Sequence, residues 1–143
     1  MLNLEGAQAG LNWLTVLKKR DGYRKAFDRF DARKIAKYTA SKQLALLKDE
    51  GIIRNRLKIN AVVENAKAFL AVKKEFGTFD SYIWDFVDGK PIAKRLASAA
   101  SERMSKALKK RGFRFVGPTI CYAFMQAVGT LNDHTKDCFR YSR

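Results

Sequence analysis

Apolar residues recur along this chain at steps of three and four almost from end to end, the spacing of helices that bury one face. Leu4, Ala7, Leu11 and Leu14 form one such stripe, and Ile59, Val62, Ala66, Phe69 and Val72 form another. Ser41 is placed to cap a helix that runs through Leu44 and Leu47 into Gly51, and Asp80 to cap a short one carrying Ile83, Phe86 and Val87. Asp88-Gly89-Lys90-Pro91 reads as a turn. Ser101 is placed to start a helix with Met104 and Leu108 inward, ended by Gly112 in the left-handed conformation. Gly117-Pro118 opens a last long helix with Ile120, Phe124 and Ala127 on its apolar face, since proline at the first helical position loses no hydrogen bond. No stretch alternates with period two for long enough to argue for a sheet. The pattern predicts an all-α fold, a compact helical bundle of roughly six to eight helices in a single domain spanning 1–143.

Composition sharpens this picture through charge. The 143 residues carry 29 Lys and Arg against 14 Asp and Glu, a net charge of +15. A surplus of that size points to a polyanionic partner. A membrane is the competing polyanion, but no apolar run approaches the roughly 18 residues of a spanning helix. The opening MLNLEGAQAG has neither a basic region nor a continuous apolar one, so it does not read as a secretory leader, and a cytoplasmic location is expected. Two cysteines make no disulfide framework, and Cys121, inside ICYAFM, reads as a buried thiol.

One connection has the chemistry to hold an anion. Residues 47–59, centred on Gly51 and Ile52, join two helical patterns through a tight turn, with the second helix starting between Arg54 and Lys58. The unpaired N–H groups at a helix start carry partial positive charge and suit a phosphate. Arg54, Arg56 and Lys58 add full charges around them. The reading is a helix-hairpin-helix grip on the DNA backbone, which positions the protein without reading sequence. The same spacing also suits an ordinary αα-turn whose basic side chains are merely solvated. Two further basic clusters are Lys18-Lys19-Arg20 with Arg24 and Lys25, and Arg103, Lys106, Lys109, Lys110, Arg111 and Arg114. If the three converge on about six phosphates, affinity should fall about a thousandfold between 50 and 200 mM salt.

Specific segments resemble a known family. Leu4-Glu5-Gly6-Ala7-Gln8-Ala9-Gly10-Leu11-Asn12-Trp13, followed by Val16-Leu17-Lys18-Lys19-Arg20, is similar to the first core helix of the DNA-3-methyladenine glycosylase I family. Gly51-Ile52-Ile53-Arg54 through Lys58-Ile59 is similar to its hairpin. Ser105 to Phe113 and Phe115 to Tyr122 resemble its C-terminal core, and Asn132-Asp133-His134 with Cys138 completes the set. The resemblance implies a helix-hairpin-helix fold acting on double-stranded alkylated DNA, and a monofunctional N-glycosylase that flips 3-methyladenine and hydrolyses its glycosidic bond. On spacing alone Glu5 is a surface acid near a helix start and Trp13 a core residue. The resemblance instead makes Trp13 the stacking face for the extruded, cationic base and Glu5 the catalytic and base-binding carboxylate. It further implies that Gln8, Gly10 and Leu11 fill the gap left in the duplex, with Leu11 a candidate apolar wedge, and that Gly51, Ile52, Arg54, Arg56, Lys58, Lys109, Lys110 and Arg111 face DNA.

Two departures from the family pattern are legible. The chain begins at the equivalent of the first core helix, whereas family members carry a leading segment that supplies two ligands of a structural zinc and aromatic residues of the base pocket. His134 and Cys138 match the other two zinc positions, and their i, i+4 spacing would let both face one metal from a helix. Two ligands do not make a structural zinc site, so the expectation is an incomplete or absent site, with no cofactor required for the chemistry. The second departure is the short connection 92–100, which its composition predicts to be a direct helical link. The alternative function is a truncated relative that grips DNA and turns over poorly. A monomer is expected, or a dimer should the front end expose apolar surface.

Overall fold

The computed structural model describes residues 1–135 and 137–140. Within them lie nine α-helices: α1 (Leu2–Gln8), α2 (Trp13–Lys18), α3 (Arg20–Ala26), α4 (Ala32–Ile35), α5 (Ala40–Leu46), α6 (Arg56–Phe76), α7 (Phe79–Trp84), α8 (Lys94–Lys110) and α9 (Pro118–Val128). The two shortest pieces of sheet, β1 (Ile92–Ala93) and β2 (Leu131–Asn132), pair in parallel and tie the start of α8 to the end of α9. The fold is therefore all-α, as the periodicity predicts.

Two hydrophobic clusters make the core, and α6 runs through both. Its N-terminal half places Ile59, Val62, Val63 and Ala66 among Leu4, Val16, Tyr23, Phe27, Ile35, Leu46 and Ile52. Its C-terminal half places Ala68 and Val72 among Ile83, Met104, Leu108, Val116, Cys121 and Met125. The predicted stripe from Ile59 to Val72 is thus one continuous helix face, 21 residues from Arg56 to Phe76. Cys121 is fully buried and its thiol, pushed up to about 12 by burial, stays protonated.

The other predicted stripe is broken. Leu4 and Ala7 are buried on α1, but the helix stops at Gln8, Gly10 turns at φ +74°, and Asn12 caps a new helix by accepting from the Leu14 N–H at 2.8 Å. Leu11 and Leu14 consequently point outward, 37% and 54% exposed. Periodicity carried across a glycine and an Asx cap mistakes two helices for one. Caps differ elsewhere too. Thr39 and Thr78, not Ser41 and Asp80, accept from the first-turn amides of α5 and α7. Ser101 does not start α8; it is buried in mid-helix and donates to the Ser98 carbonyl. The Ala-rich run before it has high helix propensity, so α8 absorbs residues 94–100 and the short connection is the predicted helical link. Gly112 at φ +91° ends α8 and Gly117-Pro118 starts α9, both as expected.

Candidate functional site

Glu5 sits on α1 and Trp13 opens α2, two short helices packed against one another. Glu5 is 6% exposed, so it is not a surface acid. Burial raises its pKa above the ordinary value, opposed in part by the positive Met1 amino group. It forms no ion pair among the described residues. A carboxylate held out of water without a lysine or arginine favours the arrival of a cation. Trp13 is half-buried, its ring packed on the cluster that holds Leu4 and Val16 while part of it remains open. A groove of about 310 Å³, walled by Phe30, Phe69, Phe79, Phe113 and Phe124 with Asn3 and Asn65 at its edge, runs beside α1; neither Glu5 nor Trp13 lines it.

The turn between α1 and α2 is self-bonded. Gln8 donates through Nε2 to the Leu11 carbonyl at 2.8 Å, and the Leu11 N–H donates to the Gln8 carbonyl at 2.7 Å. This holds Gly10 and Leu11 at the tip of an exposed loop, the geometry an inserting side chain needs. Gln8, Gly10 and Leu11 are thus brought together on the loop that joins the helices of Glu5 and Trp13.

The hairpin lies between α5 and α6. Asp49 accepts from the Gly51 N–H at 2.7 Å, and the Ile52 N–H reaches the Asp49 carbonyl at 3.4 Å. Asn55 caps α6 by accepting from the Lys58 N–H. The N–H groups of Arg54, Arg56 and Leu57 are left without a partner among the described residues, and the Arg54 and Arg56 side chains are exposed beside them. These unpaired amides lie in exposed residues at or just before the positive end of a 21-residue helix, a setting that suits an anion.

Three side chains expected on that surface are used otherwise. Ile52 is 2% exposed and plugs the core beneath the turn. Lys58 donates through Nζ to the carbonyls of Ala7 at 2.8 Å and Ala9 at 2.7 Å, so its ammonium caps the end of α1 rather than standing free. Arg111 makes a two-pronged bond to Glu75 at 2.6 and 2.8 Å and lies over the rings of Phe76 and Tyr82 at 4.8 and 5.1 Å. A lysine or arginine with orphan carbonyls or a carboxylate in reach satisfies those before a phosphate arrives, and spacing cannot reveal such distant partners.

The basic clusters do not all converge. Lys19 donates to the Glu50 carbonyl at 2.5 Å, which brings the start of α3 to the hairpin, while Arg24 and Lys25 line a separate concavity with Asp21, Asp28 and Arg29. Lys109 and Lys110 are exposed but belong to the other end. Their neighbour Arg111 is bound to Glu75, nineteen residues along α6 from Arg56, or about 28 Å at the helical rise.

Sequence reasoning passed over what holds the hairpin in place. A Cβ on Gly22 of α3 would stand 2.1 Å from the Gly51 carbonyl oxygen, so the two backbones touch there. The next residue, Tyr23, accepts through its hydroxyl from the Ile53 N–H at 3.3 Å. A glycine inside a helical stretch was the available signal. Asn65 was also missed. It is buried in mid-α6, donates to Asn3 and to the Arg114 carbonyl, and accepts from the Arg114 N–H at 2.7 Å. It thereby ties α1 to the segment between α8 and α9.

His134 and Cys138 do approach one another, with Nδ1 and Sγ 3.4 Å apart, but from irregular chain and a turn rather than from a helix. Among the described residues no group of three His, Cys, Asp or Glu side chains is gathered for a metal. Two donors do not fit a closed tetrahedral zinc site.

Comparison with known proteins places the chain in a family. The methyladenine glycosylase family model matches residues 1–141. The chain is 51% identical to a DNA-3-methyladenine glycosylase of Haemophilus influenzae, over 94% of this chain and 77% of that one. It is 46% identical to DNA-3-methyladenine glycosylase 1 of Escherichia coli, over 99% of this chain and 80% of that one. Among solved structures, a 3-methyladenine DNA glycosylase I superposes with a TM-score of 0.93 at 48% identity, covering 99% of this chain and 82% of the other. A variant of another 3-methyladenine DNA glycosylase I, solved in complex with 3-methyladenine, gives 0.92 at 36% identity, covering 96% and 78%. A family match over residues 1–141 and relatives 46–51% identical over nearly the whole chain establish that the chain belongs to the methyladenine glycosylase family.

Proposed function

We infer that this protein is a DNA-3-methyladenine glycosylase of base-excision repair, and that Glu5 and Trp13 hold the extruded base. The observation that carries the reading is Glu5, a carboxylate buried in the fold with no basic side chain to pair it. An alkylated adenine arrives as a cation. Its charge stacks favourably on the exposed part of the Trp13 ring, and its exocyclic amine donates to Glu5. Binding the cation restores to Glu5 the stabilisation that burial removed. The bond between the sugar C1′ and the base then breaks, its electron pair leaving with the base as neutral 3-methyladenine, and water adds at C1′ and gives up a proton to solvent. A leaving group that is already positive needs no strong general acid, and the step requires no metal or other cofactor. The strand outside the site is held by the amides at Arg54, Arg56 and Leu57, with the exposed Lys18 and Arg20 nearby, while Leu11 enters the gap left by the flipped nucleotide. The protein acts on duplex DNA as a monomer.

Release of free 3-methyladenine from alkylated duplex DNA tests this. The chain should release it, and both Glu5→Gln and Trp13→Ala should lower the single-turnover rate by about a hundredfold, the scale of losing one preorganised contact to the reacting group. Intact, salt-sensitive DNA binding without release in any of the three proteins would instead identify a DNA-gripping relative without the chemistry.

A further inference from the structure

Lys58 has the sequence position of a phosphate ligand and the contacts of something else. It lies in the first turn of α6, three residues past the Asn55 cap, where the helix dipole disfavours a cation. Its side chain leaves that turn and crosses to the other end of a different helix. There Nζ donates to the carbonyls of Ala7 and Ala9 at 2.8 and 2.7 Å, two acceptors that α1 leaves unpaired as it ends. Ala9 is the residue before Gly10, so the second bond grips the root of the loop whose tip is Leu11. The other bonds of residues 8–11, between Gln8 and Leu11 and from the Ala9 N–H to the Gly6 carbonyl, stay within α1 and the loop and do not reach the hairpin. Lys58 therefore joins two parts that touch DNA differently: the hairpin that holds the backbone and the loop that meets the opened base pair.

We propose that Lys58 is a positioning residue that sets the Gly10–Leu11 loop against the hairpin, so that gripping the strand places Leu11 at the vacated base, and that it makes no phosphate contact of its own. The proposal rests on the glycosylase reading for its catalytic consequence but not for its structural one. Partial burial lowers the Lys58 pKa, because the ammonium is partly withdrawn from water. The arrangement also explains why a lysine serves here, since its four-carbon stem spans from one helix to the other and its head can donate up to three bonds.

The test is the pair Lys58→Met and Lys58→Arg, with three readouts. Methionine keeps an unbranched stem of similar length and removes the donors; arginine keeps a cation with several donors. In Lys58→Met, amide NMR signals of residues 8–12 should shift and exchange faster in the free protein, with or without activity. Affinity for undamaged duplex should stay within about twofold, and the slope of log affinity against log salt should be unchanged, because no phosphate contact is lost. Single-turnover release of 3-methyladenine should fall about ten- to a hundredfold, as expected when a group is misplaced by about an ångström. Lys58→Arg should recover most of both the amide signals and the rate. Unmoved amides in residues 8–12 overturn the proposal whatever the activity. So does a salt slope reduced by about 0.9 with an unchanged single-turnover rate, the signature of a lost phosphate contact. Failure of the wild-type chain to release base would instead count against the glycosylase reading and leave the amide comparison to decide the role of Lys58.

Discussion

Glu5 is costly where it stands, and the cost has a sign. Burial raises its folded pKa above the unfolded value, so the folded state holds the Glu5 proton more tightly than the unfolded state does. The contribution of Glu5 is then most favourable below the ordinary carboxylate pKa and is lost as pH rises through the raised one. Glu5→Gln removes that dependence. Its Tm relative to wild type should therefore become more positive between about pH 4 and pH 8, while base release falls. Thermal unfolding of both proteins across that range checks it, and a difference that is flat or of opposite sign would refute the assignment of a desolvated carboxylate. At this scale the resemblance carried by the LEGAQAGLNW segment singled out Glu5 and Trp13, which spacing alone reads as a surface acid and a core residue. The sequence could not show how a basic side chain is spent. Lys58 reaches Ala7 and Ala9, 51 and 49 residues earlier in the chain, and Arg111 a carboxylate 36 residues earlier, and nothing in local spacing encodes such partners.

Elements were legible where one periodic face ran unbroken and illegible where polar caps divided it. The stripe of α6 was plain because Ile59 to Val72 pack on one side of a single helix. The stripe from Leu4 to Leu14 misled because Asn12 restarts the helix and turns two leucines outward. The hairpin was recognisable as a turn, but its foundation was not, because α3 supports it through the Gly22–Gly51 backbone contact and the Tyr23 hydroxyl on the Ile53 N–H, neither of which leaves a periodic pattern. Gly22 is the residue on which that contact depends. Gly22→Ala puts a methyl 2.1 Å from the Gly51 oxygen, and backbone on both sides must move. Overpacking of this kind costs about 1–3 kcal/mol. The displaced turn should also weaken duplex binding several-fold, although no charge has changed. Gly22→Ala with wild-type stability and affinity would show that α3 does not set the position of the hairpin.

At the scale of the whole molecule, a net charge of +15 overstates the surface available to DNA. Arg56 stands exposed at the start of α6, whereas Arg111 belongs to a pin that closes the far end of α6 on α8. The two arginines should separate cleanly in one experiment. Arg56→Ala should reduce the salt slope of duplex binding by about 0.9 and leave Tm nearly unchanged. Arg111→Ala should leave the slope alone and lower Tm. Equal slopes for the two variants would mean that DNA reaches across the full length of α6.

That length has a consequence for how this architecture can vary. Among the described residues α6 is the one helix with fully buried side chains in both core clusters, at Ile59 to Ala66 on one side and Ala68 to Val72 on the other. Adding a single residue at the junction would rotate one cluster by about 100° relative to the other and detach both from their partners. Turns such as Asp88 to Pro91 can lengthen or shorten without that penalty. In descendants of this chain, insertions and deletions should collect in the loops, while α6 keeps its residue count even after most of its surface letters have changed.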